Sequence, residues 1–329
     1  MRRNVGIKPR VRGKHTPRNN NQPENTLNAV SKKSTKSLGI EAIDAMGLVR
    51  LSGNRFMKVY EVTDGNVSQL VGRVCDLLGR IRITIHSSEY GGRASCHITL
   101  METGDAFLDV LAKFDKDEEV LGQILNIRQL ETDEIMSQIA LNYLKEVQFS
   151  YASGMYGKVD LKKECFVKVK ENSTAFLLEE KYGECFVIKA FPDMVESDLS
   201  NTLKRIGCEF YLSADISALS MYEHIDFNRE LEKRYNRRIS ANVDKDYINL
   251  SVMLVTLCDS DDARKIVEET VIGLTSKENL MCVPAYYIQE KLLESILSFG
   301  LVDEKLMRNA NMDMAKKLLG GEINEDTKN

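Results

Sequence analysis

The sequence predicts an α+β fold of two tandem ferredoxin-like (split βαβ) lobes behind a disordered basic N-terminal tail. Two observations lead to this expectation. The stretch Arg55–Ser88 has the pattern strand, helix, glycine, strand, and the stretch Glu184–Tyr235 repeats it before a charged helix. Each repeat continues into a further strand and an amphipathic helix, which is the order of a split βαβ unit. We therefore expect lobes at residues 38–158 and 159–310, and a helix end with a polar tail at 311–329.

The first lobe opens with a predicted hairpin whose turn is Ser52-Gly53-Asn54. Asn66, with Gln69 three residues later, is typical of a helix N-terminus. Gly79 is expected to end that helix, because glycine adopts the left-handed C-terminal conformation at little cost. Apolar and polar residues then alternate, which predicts a strand with one buried face. The two sets are Ile81, Ile83 and Ile85 on one side, and Arg82, Thr84 and His86 on the other.

The remainder of the first lobe is predicted to pair a strand with two helices. Gly91 and Gly92 form the expected turn into a partner strand that carries Cys96, Ile98 and Leu100 on one face. Two amphipathic helices are expected after it, at about 105–125 and 133–149. A polar, glycine-bearing linker, 150–158, separates the lobes.

The second lobe begins with three short predicted strands that end before Pro192, because proline lacks the amide that a sheet interior requires. Ser197 is the expected N-cap of a short helix that ends at Gly207. An alternating strand from Phe210 and a charged helix at 221–238 follow. The later expected elements are a central strand at 247–258 that is apolar on both faces, a helix from 262, a strand at 280–283 and a helix at 288–299.

The charge of the chain is strongly uneven. Residues 1–37 contain ten Lys or Arg and one acid, Glu24, whereas the whole chain has a net charge of −4. A segment so poor in large apolar side chains is expected to be disordered. Its basic residues could neutralise nucleic-acid phosphates or an anionic membrane surface, or be solvated. The candidate contact residues are Arg2, Arg3, Lys8, Arg10, Arg12, Lys14 and Arg18.

A second basic cluster lies towards the end of the charged helix of the second lobe. Cations at a helix C-terminus are stabilised by the helix dipole, which explains part of the cluster. The alternative is contact with an acidic or nucleic-acid partner. The candidate partner-contact residues are Arg229, Lys233, Arg234, Arg237 and Arg238.

The sequence contains none of the common catalytic or metal-binding motifs. The sequence lacks GxxxxGK[ST], GxGxxG, HExxH and GxSxG patterns, so we predict neither enzyme activity nor a cofactor. The seven cysteines contain no CxxC pair and the four histidines lack metal-ligand spacing, so no metal site is predicted. Cys96 and His97 occupy opposite faces of one strand and are not partners, while a pair of His86 with another cysteine stays open. Unpaired cysteines and the lack of a long apolar run indicate a cytoplasmic protein.

Four segments carry a resemblance to one family through their order and spacing. They are GIEAIDAMGLVRLSGNRFMKVYEV from Gly39, VIKAFPDMVESDLSNTLKRIGCEFYLSADI from Val187 leading into HIDFNRELEKR, DYINLSVMLVTLCDSDDARKIVEETVIGL from Asp246, and QEKLLESILSFGLVDEKLMRNANMDMAKKLLG from Gln289. Together they resemble the region that precedes the motor domain in type IV secretion (conjugation) ATPases of the TraE/TrbE/CagE kind. The chain departs from that pattern at Leu297–Gly300, where the family usually has a proline. It also lacks the Walker motifs, so ATP hydrolysis is not implied.

The resemblance implies a non-catalytic docking component of a conjugative DNA-transfer machine, the stand-alone counterpart of the motor's N-terminal domain. Its implied partners are conjugation and secretion proteins, including a separately encoded ATPase, on the cytoplasmic face of the membrane. The alternative is a nucleic-acid-binding accessory protein of a mobile element that uses the basic tail. The sequence leaves self-association open.

Overall fold

A computed structural model describes residues 40–43, 47–88, 94–147, 149, 165–235, 246–300 and 304–320. These residues form a mixed α/β fold around a large antiparallel sheet. The predicted turn at Gly91 and Gly92 and the predicted linker 150–158 lie outside the described residues.

The described strands, in chain order, are β1 (Ile40–Ile43), β2 (Val49–Leu51), β3 (Arg55–Gly65), β4 (Arg80–Ser87), β5 (Ser95–Thr103), β6 (Leu125–Gln129), β7 (Val169–Glu171), β8 (Phe176–Leu178), β9 (Lys181–Ile188), β10 (Glu209–Ala218), β11 (Tyr247–Cys258), β12 (Cys282–Pro284) and β13 (Arg308–Asn311). The described helices are α1 (Val67–Gly72), α2 (Phe107–Gly122), α3 (Thr132–Asn142), α4 (Leu199–Lys204), α5 (Met221–Tyr235), α6 (Asp261–Lys277), α7 (Gln289–Leu297) and α8 (Met312–Leu319).

One sheet runs through both halves of the chain. In the first half the neighbouring strands are β6–β3–β5–β4, and in the second half they are β12–β9–β11–β10. β4 pairs antiparallel with β10, and this pairing, which we call the seam, joins the halves. The division into two lobes at residue 158 stays a prediction, because the strands of both ranges belong to the same sheet.

Apolar side chains form a core on each face of the sheet. The first core contains α1, α2, α4, α6 and α8, and the second contains α3 and α7. α8 packs against α1 from the first half and against α4 from the second. The short C-terminal helix therefore contacts elements of both halves, which adds to the connection that the seam provides.

Several local predictions are confirmed. The turn between β2 and β3 has Gly53 and Asn54 at positive φ, as a tight hairpin requires. The Asn66 side chain accepts a hydrogen bond from the Gln69 amide at 3.2 Å and caps α1. β11 is buried along nearly all of its length, as expected for a central strand.

The predicted N-cap of α4 is off by one residue. Asp198, and not Ser197, caps this helix by accepting from the Asn201 amide at 3.2 Å. The Ser197 hydroxyl instead donates to the Glu278 carboxylate. The side chain that the sequence predicts as the cap is therefore used in a tertiary contact.

The end of α1 was predicted wrongly. The helix ends at Gly72 and not at Gly79. The amides of Leu78 and Gly79 donate to the two carboxylate oxygens of Asp117 on α2, at 2.8 and 2.9 Å. Because these amides have a side-chain acceptor on another helix, the chain leaves the helical path early and Leu78 becomes exposed.

The end of α3 was also predicted wrongly, by seven residues. The helix ends at Asn142 because Leu144 adopts a left-handed conformation with φ 59°. The Lys145 amide then donates to the Ala140 carbonyl at 2.9 Å, which closes the helix in the manner of a Schellman motif. Glycine usually occupies such a position, so a leucine there gives no signal in the sequence.

The prediction that β4 buries one face is wrong, because both faces are covered. Arg82 is fully buried and Thr84 is 4% exposed, although both belong to the polar set of the strand. β10 lies beside them and α7 lies over them. The polar set of β4 is therefore an internal feature of the fold.

Candidate functional site

The basic tail, residues 1–37, lies outside the part of the chain that the structure describes. All seven of its candidate contact residues lie outside the described residues. They are Arg2, Arg3, Lys8, Arg10, Arg12, Lys14 and Arg18. Their contact with DNA or lipid stays a prediction.

The second basic cluster is only partly described. Arg229 and Lys233 are exposed on α5, and Arg229 forms a surface ion pair with Asp226 at 3.2 Å. Arg234 lies in the last turn of α5, and Arg237 and Arg238 lie outside the described residues. The structure thus places two of the five residues on an accessible surface.

α5 is attached to the sheet by a few specific contacts. Ser220 and Glu223 form a reciprocal cap, since the Ser220 amide donates to the Glu223 carboxylate and the Glu223 amide donates to the Ser220 hydroxyl. The Glu223 carboxylate also accepts from Asn249 of β11 at 3.0 Å. The Phe227 ring packs edge-on against the Tyr247 ring, with centroids 4.8 Å apart. These contacts hold one side of the helix against the start of β11.

The first turns of α5 carry large apolar side chains on the opposite side, and these are open to solvent. Met221 is 77% exposed, Tyr222 is 81% exposed and Ile225 is 39% exposed. We call these three residues the α5 patch. Exposed large apolar side chains that cluster on one element are typical of protein interaction sites. The sequence predicted contacts at the basic end of this helix and not at the patch at its start.

The seam has an ordered set of polar pairs on the face that α7 covers. Arg82 lies directly opposite Asp215, and Thr84 lies directly opposite Ser213. Arg82 donates to the two Asp215 carboxylate oxygens at 2.5 and 3.1 Å, and Arg80 donates to Asp215 at 3.1 Å. The hydroxyls of Thr84 and Ser213 are 3.1 Å apart. Such matched cross-strand pairs fix the register between the two halves.

The guanidinium of Arg82 also links the sheet to α7. It donates to the Ser295 carbonyl at 2.7 Å, and the Ser295 hydroxyl donates to the Gly300 carbonyl at 3.0 Å. One signal for this network is visible in the sequence, because β4 and β10 each place charged or hydroxyl residues on one face. The sequence does not show that β4 and β10 are neighbours in the sheet, so the pairing of these residues could not be predicted from it.

A groove of about 590 Å³ lies between α3 and the sheet. Its floor is His97 of β5, which is 7% exposed and packs against the Phe299 ring at 5.2 Å. Burial lowers the pKa of His97 to about 4, so its imidazole is neutral at pH 7. On the wall, Arg128 donates to Glu61 at 2.8 Å and to Glu134 at 2.5 Å. From the sequence, His97 was predicted only to lie on the opposite face of its strand from Cys96, and no groove was predicted.

A buried carboxyl pair lies near the start of β4. Asp117 is fully buried and Glu102 is 2% exposed. Burial, together with the hydrogen bond to Asp117 and the charge of Asp117, raises the pKa of Glu102 to about 8. Glu102 is therefore protonated at neutral pH, while Asp117 accepts from two amides. The pair therefore stabilises the turn at Leu78 and Gly79, which follows α1.

This pair predicts a pH dependence of stability. The pKa of Glu102 is near 8 in the folded chain and near 4.5 in the unfolded chain, so the folded chain binds more protons between those values. The free energy of unfolding should therefore fall as the pH rises from 6.5 to 8. Glu102→Gln keeps the shape of the side chain without the titration, and it should make this decline smaller. Urea unfolding at both pH values measures the effect.

Between pH 6.5 and 8 the stability change caused by Glu102 can be measured without a contribution from His97. Because the pKa of His97 is lowered in the folded chain, its contribution to stability is lost as the pH falls below about 6.5. Glu184, whose pKa burial also raises to about 8, remains in the variant. The decline should thus be reduced and not abolished. An identical decline in the variant and the original chain would contradict the assignment.

The cysteines and His86 lie in surroundings typical of residues that stabilise the fold. Six cysteines are buried and Cys75 is exposed. Burial raises the pKa of Cys96 and of Cys282 to about 12, which disfavours the reactive thiolate. His86 is 3.0 Å from the Glu209 carboxylate and stacks on the Tyr211 ring, so its described partners are these two residues and not a cysteine.

The described residues thus form a mixed α/β protein with a large antiparallel sheet, an apolar patch on α5 and a polar groove beside α3. A comparison with models of known protein families finds no match. A comparison with curated proteins also finds none. None of the helices that the structure describes has both the length and the apolar character needed to cross a membrane.

Proposed function

We propose that this chain is a non-catalytic docking component of a conjugative, type IV secretion-like DNA-transfer machine. In this role it is the counterpart of the motor's N-terminal domain and works on the cytoplasmic side of the membrane. Its partners are proteins of the transfer complex, including the ATPase. The sequence resemblance supports this proposal together with the fold and the α5 patch.

At the level of fold, we infer two tandem ferredoxin-like units that share one sheet. The strand orders β6–β3–β5–β4 and β12–β9–β11–β10 support this inference. In each order the first strand of a βαββαβ unit lies between the fourth and the third, as in a split βαβ unit. α1 and α4 occupy equivalent places and have equivalent caps, from Asn66 and Asp198.

The observation that carries the docking proposal is the α5 patch. α5 belongs to the segment HIDFNRELEKR, which takes part in the resemblance, and it interrupts the connection between the paired strands β10 and β11. One side of α5 is fixed by Glu223 and Phe227, so the apolar side is presented at a defined orientation. A fixed apolar surface loses little conformational entropy when a partner covers it.

A site-specific photocrosslinker tests the proposal. A benzoylphenylalanine in place of Tyr222, in the full chain in its natural host, should crosslink to a protein of the transfer complex. Replacing Met221, Tyr222 and Ile225 by glutamate should lower the frequency of DNA transfer at least tenfold, because charge in an apolar contact is costly. The thermal unfolding temperature of that variant should stay unchanged, since the three side chains are exposed.

Ile266→Glu provides the matched control. Ile266 is 66% exposed on α6, so the same change is made to an exposed apolar residue outside the α5 patch. This variant should transfer DNA normally. Normal transfer by the α5 variant, or crosslinks from position 222 to DNA alone, would contradict docking and favour a nucleic-acid-binding accessory protein.

A further inference from the structure

The start of α2 carries a surface that is both apolar and acidic, and it is separate from the α5 patch. Phe107 is 49% exposed and Leu108 is 77% exposed. Asp105 precedes these residues and Asp109 follows them, and both acids are exposed. We call these four residues the α2 patch. Large exposed apolar side chains with polar residues around them are typical of interaction sites.

Contacts with the hairpin of β2 and β3 hold the α2 patch in place. The Asn54 side chain donates to the Asp105 carboxylate at 2.9 Å, and the Gly104 amide donates to the Asn54 carbonyl at 3.1 Å. The Phe107 ring meets the Phe56 ring edge-on, with centroids 5.9 Å apart. A surface that is already ordered loses little conformational entropy when another segment covers it.

The acidic character continues along the outward side of α2. Asp115 and Glu119 are exposed, and their spacing from Leu108 is two and three helical turns, so they lie on the same side. The helix dipole favours acids only at the N-terminus, and the last turn of α2 contains no basic residue. Helix stability therefore does not explain Glu119. Asp109, Asp115 and Glu119 form no ion pair with any other described residue, so a cationic segment can approach them.

The chain enters the sheet at the end where the α2 patch lies. Ile40, the first residue of β1, lies opposite Leu51. Leu51 lies opposite Arg55, and Arg55 lies opposite Thr103, the last residue of β5. These four residues form one row across the sheet, which is about 14–15 Å wide at a strand spacing of about 4.8 Å. Because Thr103 leads directly into the α2 patch, the residues before Ile40 start close to it.

The segment that precedes β1, residues 27–38, complements the α2 patch in composition and reach. It contains no acid. Its basic residues are Lys32, Lys33 and Lys36, and its large apolar residues are Leu27, Val30 and Leu38. The seven residues from Lys33 to Ile40 can span up to about 24 Å, which exceeds the width of the row. A segment tethered so closely has a high effective concentration at the patch.

We propose that residues 27–38 dock on the α2 patch of their own chain. The lysines of the segment face Asp105, Asp109 and Asp115, and its apolar side chains cover Phe107 and Leu108. While it is docked, the segment withholds its lysines from anionic partners and shields the apolar start of α2. This contact involves neither α5 nor DNA transfer, so it can fail without affecting the docking role of α5.

A photocrosslinker in the purified full chain tests the proposal. Benzoylphenylalanine in place of Leu108 keeps an apolar side chain in the patch, and mass spectrometry should find crosslinks to residues 27–38. The same group in place of Ile266, which is 66% exposed on α6, is the matched control and should not crosslink to that segment. Failure of position 108 to crosslink to residues 27–38 would overturn the proposal. Crosslinks only to a second copy, identified by mixing nitrogen-15-labelled and unlabelled chains, would also overturn it and indicate self-association.

Charge reversal tests whether the lysines direct the docking. Replacing all three lysines of residues 27–38 by glutamate should lower the yield of this crosslink at least fivefold, because like charges then face each other. Adding Asp109→Lys and Asp115→Lys should restore most of the yield. Adding Asp262→Lys and Glu269→Lys instead, at exposed positions of α6, gives the same net charge and should restore none. An unchanged yield in the glutamate variant, or equal restoration by both pairs, would overturn the docking site.

Discussion

Asp215→Ala is expected to lower the free energy of unfolding by about 3–5 kcal/mol, the cost of breaking a buried ion pair by removing one partner. Arg82 is fully buried and donates twice to Asp215, so the variant leaves its guanidinium in the interior without that carboxylate. Arg80 loses a contact at 3.1 Å as well. Urea unfolding followed by circular dichroism at pH 7 measures the change.

Asp226→Ala is the matched control for this prediction. Asp226 and Arg229 form an ion pair on α5 whose side chains are 77% and 68% exposed. Solvent and salt screen such a pair, so its loss should change the free energy of unfolding by less than about 1 kcal/mol. A double variant, Arg82→Met with Asp215→Leu, removes both charges and should be less destabilised than Asp215→Ala. Equal effects of Asp215→Ala and Asp226→Ala would contradict the buried network.

The position of this network explains why its loss should matter for the whole fold. Asp215 is on β10 and Arg82 is on β4, so the pair joins the two halves at the seam. Arg82 also holds the Ser295 carbonyl on α7. A change at Asp215 should therefore affect the sheet and α7 together, and both should unfold in a single transition.

Local elements with strong sequence signals could be predicted. The hairpin at Gly53, the cap at Asn66 and the central strand β11 follow from turn chemistry, capping and apolar patterning. The errors have tertiary causes. Asp117 accepts the amides after α1, and Leu144 adopts a conformation that usually requires glycine. Neither the contact of Asp117 nor the conformation of Leu144 has a signature in the neighbouring sequence.

The candidate sites were less predictable than the elements. The sequence identified Arg229 and Lys233 by charge, and both are exposed. It missed the α5 patch, because an apolar residue at a helix start is equally consistent with burial. It missed the groove because His97, Arg128 and Glu134 come from different elements that meet only in the folded chain. Sites built from distant residues require the strand order, and patterning does not determine which edges pair.

Gly47→Ala is expected to lower the free energy of unfolding by about 2–5 kcal/mol. Gly47 has φ 77°, where an L-residue costs roughly 1–2 kcal/mol. A Cβ atom there would also lie 2.1 Å from the Leu130 carbonyl oxygen and 3.3 Å from Cα of Glu131. Because both neighbours are backbone atoms, the clash requires a shift of the chain before α3, at a further cost of about 1–3 kcal/mol. Thermal and urea unfolding of the purified variant measure the loss.

Gly53→Ala separates the two contributions. Gly53 has nearly the same conformation, φ 76°, but a Cβ atom there meets no atom within 4 Å. This variant should therefore show only the conformational cost, and the difference between the two variants measures the clash with Leu130. The larger effect should also extend to the groove, because Leu130 lines it. If the two variants lost equal stability, the segment at Gly47 would not pack against the start of α3, and that wall of the groove would be free to move.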